Sequence, residues 1–206
     1  MLLVVGLGNP GREHEGQRHN VGFMVLDALR SAEGWPEYRE KHGGLTTRGE
    51  LAGQPVVLLA PETYMNRSGE SVQPAAAFLK AAPADILVVH DELDLPWREV
   101  RLKMGGGHAG HNGLRSIIGR LGTPDFARVR VGIGKPPAGL GRSTSDWVLS
   151  RFDAGERQEL GDVVGRAVDA VRRVARDGLA AAMQHLHTAP PAPPGAPPGG
   201  ASPTKS

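Results

Sequence analysis

The sequence predicts one three-layer α/β domain, a mixed and mostly parallel sheet flanked by helices. Short apolar runs end in Gly/Pro punctuation, as buried strands do. Stretches with apolar residues three and four apart, as on one helix face, lie between them. The two kinds alternate along nearly the whole chain, and no internal repeat interrupts them.

Leu2–Gly6 (LLVVG) is apolar throughout and runs into a Gly/Pro loop, so it reads as a buried strand. Val21, Met24, Val25, Ala28 and Leu29 then recur at helical spacing, with Asn20 placed to cap and Gly34-Trp35-Pro36 to stop the helix. Residues 45–51 and 56–60 flank Ala52-Gly53-Gln54-Pro55 and read as a hairpin. A helix is expected over 71–80, with Val72, Ala75, Ala76 and Leu79 inward.

Residues 85–90 (DILVVH) form the best central-strand candidate, and Val100–Met104 reads as another strand. After the glycine-rich GGGHAGHNG come a helix near 114–121 and a strand over 127–133. The last long helix is expected over 154–176, with Leu160, Val163, Val164, Ala167, Val168, Val171 and Val174 on one face. It breaks at Asp177-Gly178 and restarts as far as Leu186.

Composition sets the boundaries. Residues 188–206 (TAPPAPPGAPPGGASPTKS) offer almost no large apolar side chain and cannot repay the entropy of ordering, so they read as a disordered tail behind a domain of residues 1–187. No run reaches the ~18 consecutive apolar residues of a membrane span. The opening segment has no basic lead, so a strand is expected there, not a signal peptide. The chain has no Cys, which excludes disulfides, thiolate nucleophiles and Cys-ligated metals. A cytoplasmic enzyme with no membrane segment fits these features.

Charge is uneven. From residue 98 to 151 there are ten Lys/Arg against three acids, in a chain whose formal net charge is +2. Such a block suits a polyanion such as RNA, and equally a solvated basic face.

Several loops carry candidate chemistry. GLGNPG after the first strand matches the dinucleotide fingerprint letter for letter, but no helix starts inside it and polar REHEGQRHN follows. Its glycines more naturally turn the chain and present Asn9 to a cleft. His19 lies near the carboxyl end of the first strand, where clefts in open sheets form, although a capping histidine reads the same way. Asn66 in PETYMNRSG suits either a helix cap or a donor–acceptor pair for substrate.

HDELDLP closes the central strand with three acids, and Asp91 is the first after it. A carboxylate there could solvate the loop, bind a metal or fix an imidazole's tautomer. His108 and His111 are three apart but lack a matching carboxylate spacing for a metal site. Asn112 reads as the cap of the following helix, whose terminus would attract phosphate.

Taken in order, GLGNPG…RHNVGF, TYMNRSGE, HDELDLP, KMGGGHAGHNGLRSI and RVRVGIG resemble the bacterial peptidyl-tRNA hydrolase family from about Leu3 to about Leu186. Five linked blocks are far more specific than any one. The resemblance implies a mixed-sheet α/β fold, a monomer with no obligate protein partner, and hydrolysis of the ester between a peptide and tRNA, with no metal or cofactor. It implies His19 as catalytic base, Asp91 as the acid holding it, and Asn9 as the residue separating blocked from free aminoacyl-tRNA. Asn66, Asn112 and Tyr64 would bind the substrate's 3′ end, and Lys103 and Arg130 the acceptor-stem backbone.

Two departures stand out. His14 and Gln17 occupy the family's tyrosine and threonine positions, leaving His14 as the candidate tRNA-end contact; Trp97-Arg98 replaces a common Pro-Gly turn. The expected mechanism is a water activated by neutral His19, with amide donors facing the oxyanion. A Ser nucleophile is disfavoured because no G-x-S-x-G elbow appears. A non-catalytic RNA-binding relative and a dinucleotide-dependent enzyme are the alternatives.

Overall fold

A computed structural model describes residues 1–139 and 141–188. The Pro/Gly-rich tail, from residue 189 on, lies outside them. The strands are β1 (Leu2–Gly6), β2 (Arg39–Lys41), β3 (Gly44–Leu51), β4 (Gln54–Pro61), β5 (Ile86–Glu92), β6 (Val100–Met104) and β7 (Ala127–Gly132). The helices are α1 (Val21–Glu33), α2 (Gly69–Leu79), α3 (Asn112–Leu121), α4 (Thr144–Val148), α5 (Ala154–Asp177) and α6 (Leu179–Thr188).

The strands form one sheet in the order β2-β3-β4-β1-β5-β7-β6. The four central strands are parallel, β3 and β6 are antiparallel to their neighbours, and β2 returns to the common direction. Both faces are covered, which is why β1 and β5 are apolar without alternation. On one face Val4, Val89 and Val129 meet Leu26, Val168 and Val171 of α1 and α5. On the other, Leu3, Val5 and Val88 meet Val72, Ala75, Leu114 and Ile117 of α2 and α3. Among the described residues, no helix is long and apolar enough to cross a membrane.

Three expectations change. Strand β5 runs on through Asp91 and Glu92, because these residues pair with Val131 and Gly132 of β7. Asp91 therefore sits inside the sheet's carboxyl end, not in the loop after it. The exposed edge strand β2 and the five-residue α4 were not anticipated. The first contains no apolar residue and is held by pairing with β3, while α4 is set by a Ser143–Asp146 capping box.

One close approach sets helix α1 against the sheet. A Cβ on Gly22 would lie 2.3 Å from the Leu7 nitrogen and 2.5 Å from the Val89 oxygen. Helix α1 thus rests directly on the β1 and β5 backbones. The turn preceding it, Arg18–Asn20, is thereby set beside the carboxyl ends of both strands.

Candidate active site

A cavity of about 800 Å³ opens over the carboxyl ends of the strands, within the size range of small-molecule clefts. Asn9, His19, Tyr64, Asn66, Asp91, Lys103, Asn112 and Arg130 all line it. His14, the remaining expected contact, is not among its lining residues. Its Nδ1 pairs with Gln17 Oε1 at 3.1 Å, so the two residues that occupy the expected tyrosine and threonine positions bond to each other.

His19 and Asp91 are 7 % and 2 % exposed. His19 Nδ1 lies 2.9 Å from both Asp91 oxygens. A proton on Nδ1 makes this a charge-assisted hydrogen bond and leaves Nε2 for the cavity. Burial pushes the His19 pKa down, but the Asp91 carboxylate outweighs it and the net shift is upward. Burial also works against an ionised Asp91, yet the His19 and His111 imidazoles hold its pKa well below the usual carboxylate range.

His111 was not singled out from the sequence as part of this site. Its Nε2 donates to Asp91 Oδ1 at 2.9 Å, while its Nδ1 accepts the Leu114 amide at 3.3 Å as the cap of α3. These two bonds specify its tautomer. His111, not Asn112, is the cap, and Asn112 is exposed at the cavity wall. A GHNG turn ahead of an amphipathic stretch could have suggested a capping histidine. Its reach across to Asp91 had no signal in local spacing.

His90, beside Asp91, is buried; burial and then the nearby His111 push its pKa down to about 3, so it stays neutral. Its Nδ1 donates to the Asp91 carbonyl at 2.7 Å.

Asn9 is held from three sides. Its amide N–H donates to Asn20 Oδ1 at 3.0 Å and its carbonyl accepts from Asn20 Nδ2 at 2.9 Å. Asn20 therefore spends its side chain on the Asn9 loop and makes no side-chain cap bond to α1. The Met65 amide donates to Asn9 Oδ1 at 2.7 Å. Oδ1 of Asn9, a lining residue of the cavity, is thus engaged by the protein itself.

The basic rim follows the pleat. Arg128 and Arg130 are two apart on β7, and Lys103 stands opposite Arg128 on β6. Arg128 is buried and donates to the Gly106 carbonyl and, at 2.7 Å, to that of Gly107, pinning the glycine-rich loop. Arg130 pairs with Glu92 at 2.9 Å. The block's other charges are also partly spent: Arg98 pairs with Glu159, Lys135 with Asp94 and Arg120 with Glu70. Arg98 adopts φ 75°, so the loop keeps the left-handed turn that glycine more easily supplies.

His19, Asp91 and His111 offer donor atoms within 4.8 Å of one another, a set that could hold a transition metal if it displaced the two ring protons. His108 takes no part, since its Nδ1 accepts the Gly110 amide within its own loop. No helix begins within residues 6–11, which removes the dinucleotide reading of that loop.

The family model described as peptidyl-tRNA hydrolase matches residues 3–193. The chain is 58 % identical over 190 residues to a peptidyl-tRNA hydrolase of Sorangium cellulosum, covering 92 % of this chain and 85 % of that protein. It is 48 % identical over 187 residues to one from Mycolicibacterium gilvum, covering 90 % and 96 %. The crystal structure of peptidyl-tRNA hydrolase from Acinetobacter baumannii superposes with a TM-score of 0.85 at 40 % identity, covering 93 % of this chain and 97 % of that one. On these matches, which span the sheet, its helices and every block of the cavity, the chain belongs to the peptidyl-tRNA hydrolase family.

Proposed function

We propose that this protein hydrolyses the ester between a peptide and the terminal ribose of tRNA, using a water activated by neutral His19. The observation that carries the reading is the pair of 2.9 Å contacts from His19 Nδ1 to Asp91 at a cavity wall. With its proton on Nδ1, the ring presents Nε2 as a base. Asp91 holds that tautomer and stabilises the imidazolium formed as water attacks. The substrate is an activated ester, so proton removal and oxyanion stabilisation suffice, and no step calls for a metal or cofactor.

Asn66 and Asn112, both at the cavity, are the candidate side-chain donors to the oxyanion, each of a type worth about 10²–10³-fold. Asn9 supplies selectivity. With Oδ1 committed to Met65, it offers only N–H, which suits a carbonyl of an N-blocked substrate. A free aminoacyl ammonium brings donors of its own and a positive charge, so donor faces donor. Tyr64, 60 % exposed on the rim, is placed to stack against a terminal base. Lys103 and Arg130 would hold acceptor-stem phosphates, largely without regard to sequence. The protein is proposed to act as a monomer.

The test is release of intact tRNA from N-acetyl-aminoacyl-tRNA, compared with the unblocked form, by wild type and His19→Ala. Wild type should cleave the blocked ester and spare the free one. His19→Ala should lose about 10²–10⁴-fold in kcat and retain tRNA affinity. Near-normal turnover by His19→Ala would remove the base assignment, and no cleavage by wild type would remove the function.

A further inference from the structure

Arg18, next to His19 in the chain, has no part in the chemistry above and yet is buried, 2 % exposed. Buried arginines are uncommon unless paired. Its guanidinium binds Ser150 Oγ at 2.8 Å, the Arg151 carbonyl and the Glu156 carboxylate. It also lies 3.8 Å from the centre of the Trp147 ring. The backbone follows the same path, since the Arg18 amide donates to the Ser150 carbonyl at 2.9 Å and Gln17 forms a β-bridge with Arg151. Trp147 lies in α4, Ser150 and Arg151 follow it directly, and Glu156 sits in the first turn of α5.

Helix α4 forms a wall of the cavity through Thr144, Ser145 and Val148, and Leu149 continues it. Its buried Trp147 faces Arg18 and donates through Nε1 to the Gly134 carbonyl at 2.9 Å. One planar, five-donor side chain therefore joins the turn that carries the base to the wall that meets substrate. We infer that Arg18 is a positioning residue that locks the His19 turn to the α4 wall, so that the imidazole keeps its place on Asp91 when substrate presses on that wall. The inference rests on the proposed hydrolysis. A misplacement of about 1 Å at a reacting group can cost on the order of 10²-fold, and the other two side chains of the turn bond elsewhere, His19 to Asp91 and Asn20 to Asn9.

Arg18→Lys keeps the charge beside Glu156 but loses the fork and the flat stack. Measured on N-acetyl-aminoacyl-tRNA, it should lower kcat about tenfold or more and leave KM within about twofold. The acid limb of the kcat/KM profile should also move to lower pH, as His19 loosens from Asp91. A variant with Arg18→Met and Glu156→Gln together strands no buried charge, so it tests the geometry if the lysine variant folds poorly. It should show the same fall in kcat.

Wild-type kcat and an unmoved acid limb in either folded variant would overturn the inference and reduce Arg18 to a stabilising contact. A rise in KM at unchanged kcat would overturn it as well, by assigning Arg18 to the wall alone. Both results leave the hydrolase reading standing, which fails only if wild type releases no tRNA.

Discussion

Replacing Asp91 with Asn changes almost no volume but breaks a specific pattern of donors. Asp91 Oδ1 accepts from His111 Nε2 at 2.9 Å, and both its oxygens lie 2.9 Å from His19 Nδ1. An asparagine offers one acceptor and one donor. His111 Nδ1 is occupied by the Leu114 amide, so Nε2 must donate and draws the asparagine oxygen to itself. The asparagine NH₂ then meets His19 Nδ1, which must accept, and the ring proton moves to Nε2. The base is then protonated on the nitrogen that should be free.

General-base assistance is worth about 10²–10⁴-fold, and forcing the wrong tautomer in a comparable His–Asp pair costs about 10⁴-fold. A kcat loss of about 10³-fold is expected, about 4 kcal/mol of activation free energy at 1.36 kcal/mol per tenfold. KM should hold, since the rim is untouched. The remaining activity should have its acid limb at lower pH, because the carboxylate that raises the His19 pKa is gone and burial, which lowers it, remains.

Single-turnover hydrolysis of N-acetyl-aminoacyl-tRNA across pH reads both effects. Adding His111→Ala to Asp91→Asn frees the amide to turn its oxygen back to His19, so the double variant should be faster than Asp91→Asn alone. A kcat within about twofold of wild type, or a double variant slower than the single, would refute the tautomer reasoning.

Two further outcomes follow from the same structure. Lys103→Ala with Arg130→Ala should raise KM at low salt and flatten its log–log salt dependence by about 0.7–0.9 per lost phosphate contact. An unchanged slope would place the tRNA path elsewhere. Gly22→Ala drives a methyl against the Leu7 nitrogen at 2.3 Å, a backbone atom that cannot swing aside. About 1–3 kcal/mol of destabilisation is expected, a fall of roughly 3–10 °C in Tm for a domain of this size. An unaltered Tm in thermal unfolding would show that α1 does not rest on the strands as described.

Elements that bury a regular apolar pattern were legible in the sequence. Strands β1 and β5, the β3–β4 hairpin and the stripes of α1 and α5 all carry their period in their own residues. Strand β2 does not: Arg39-Glu40-Lys41 becomes a strand only because Leu45 and its neighbours offer an edge. The Asn112 cap was expected from residue preference, yet His111 takes that place because its other nitrogen is needed by Asp91.

The basic block looked stronger in sequence than in space. Glu70, Glu92, Asp94 and Glu159 all lie outside it in the chain and come back to pair with it. Nothing local to Arg18 pointed to its role, since its side-chain hydrogen-bond partners lie more than 130 residues away. What the sequence could not convey is the same in each case: which side chain answers which across the fold.

The titration of His19 itself tests the central claim most directly. Heteronuclear NMR of the imidazole nitrogens, with His19→Ala to assign them, reports tautomer and pKa together. A neutral ring protonated on Nδ1 is expected, with a pKa above the ordinary histidine value that coincides with the acid limb of kcat/KM. A ring protonated on Nε2, or a limb that ignores the His19 titration, would contradict it.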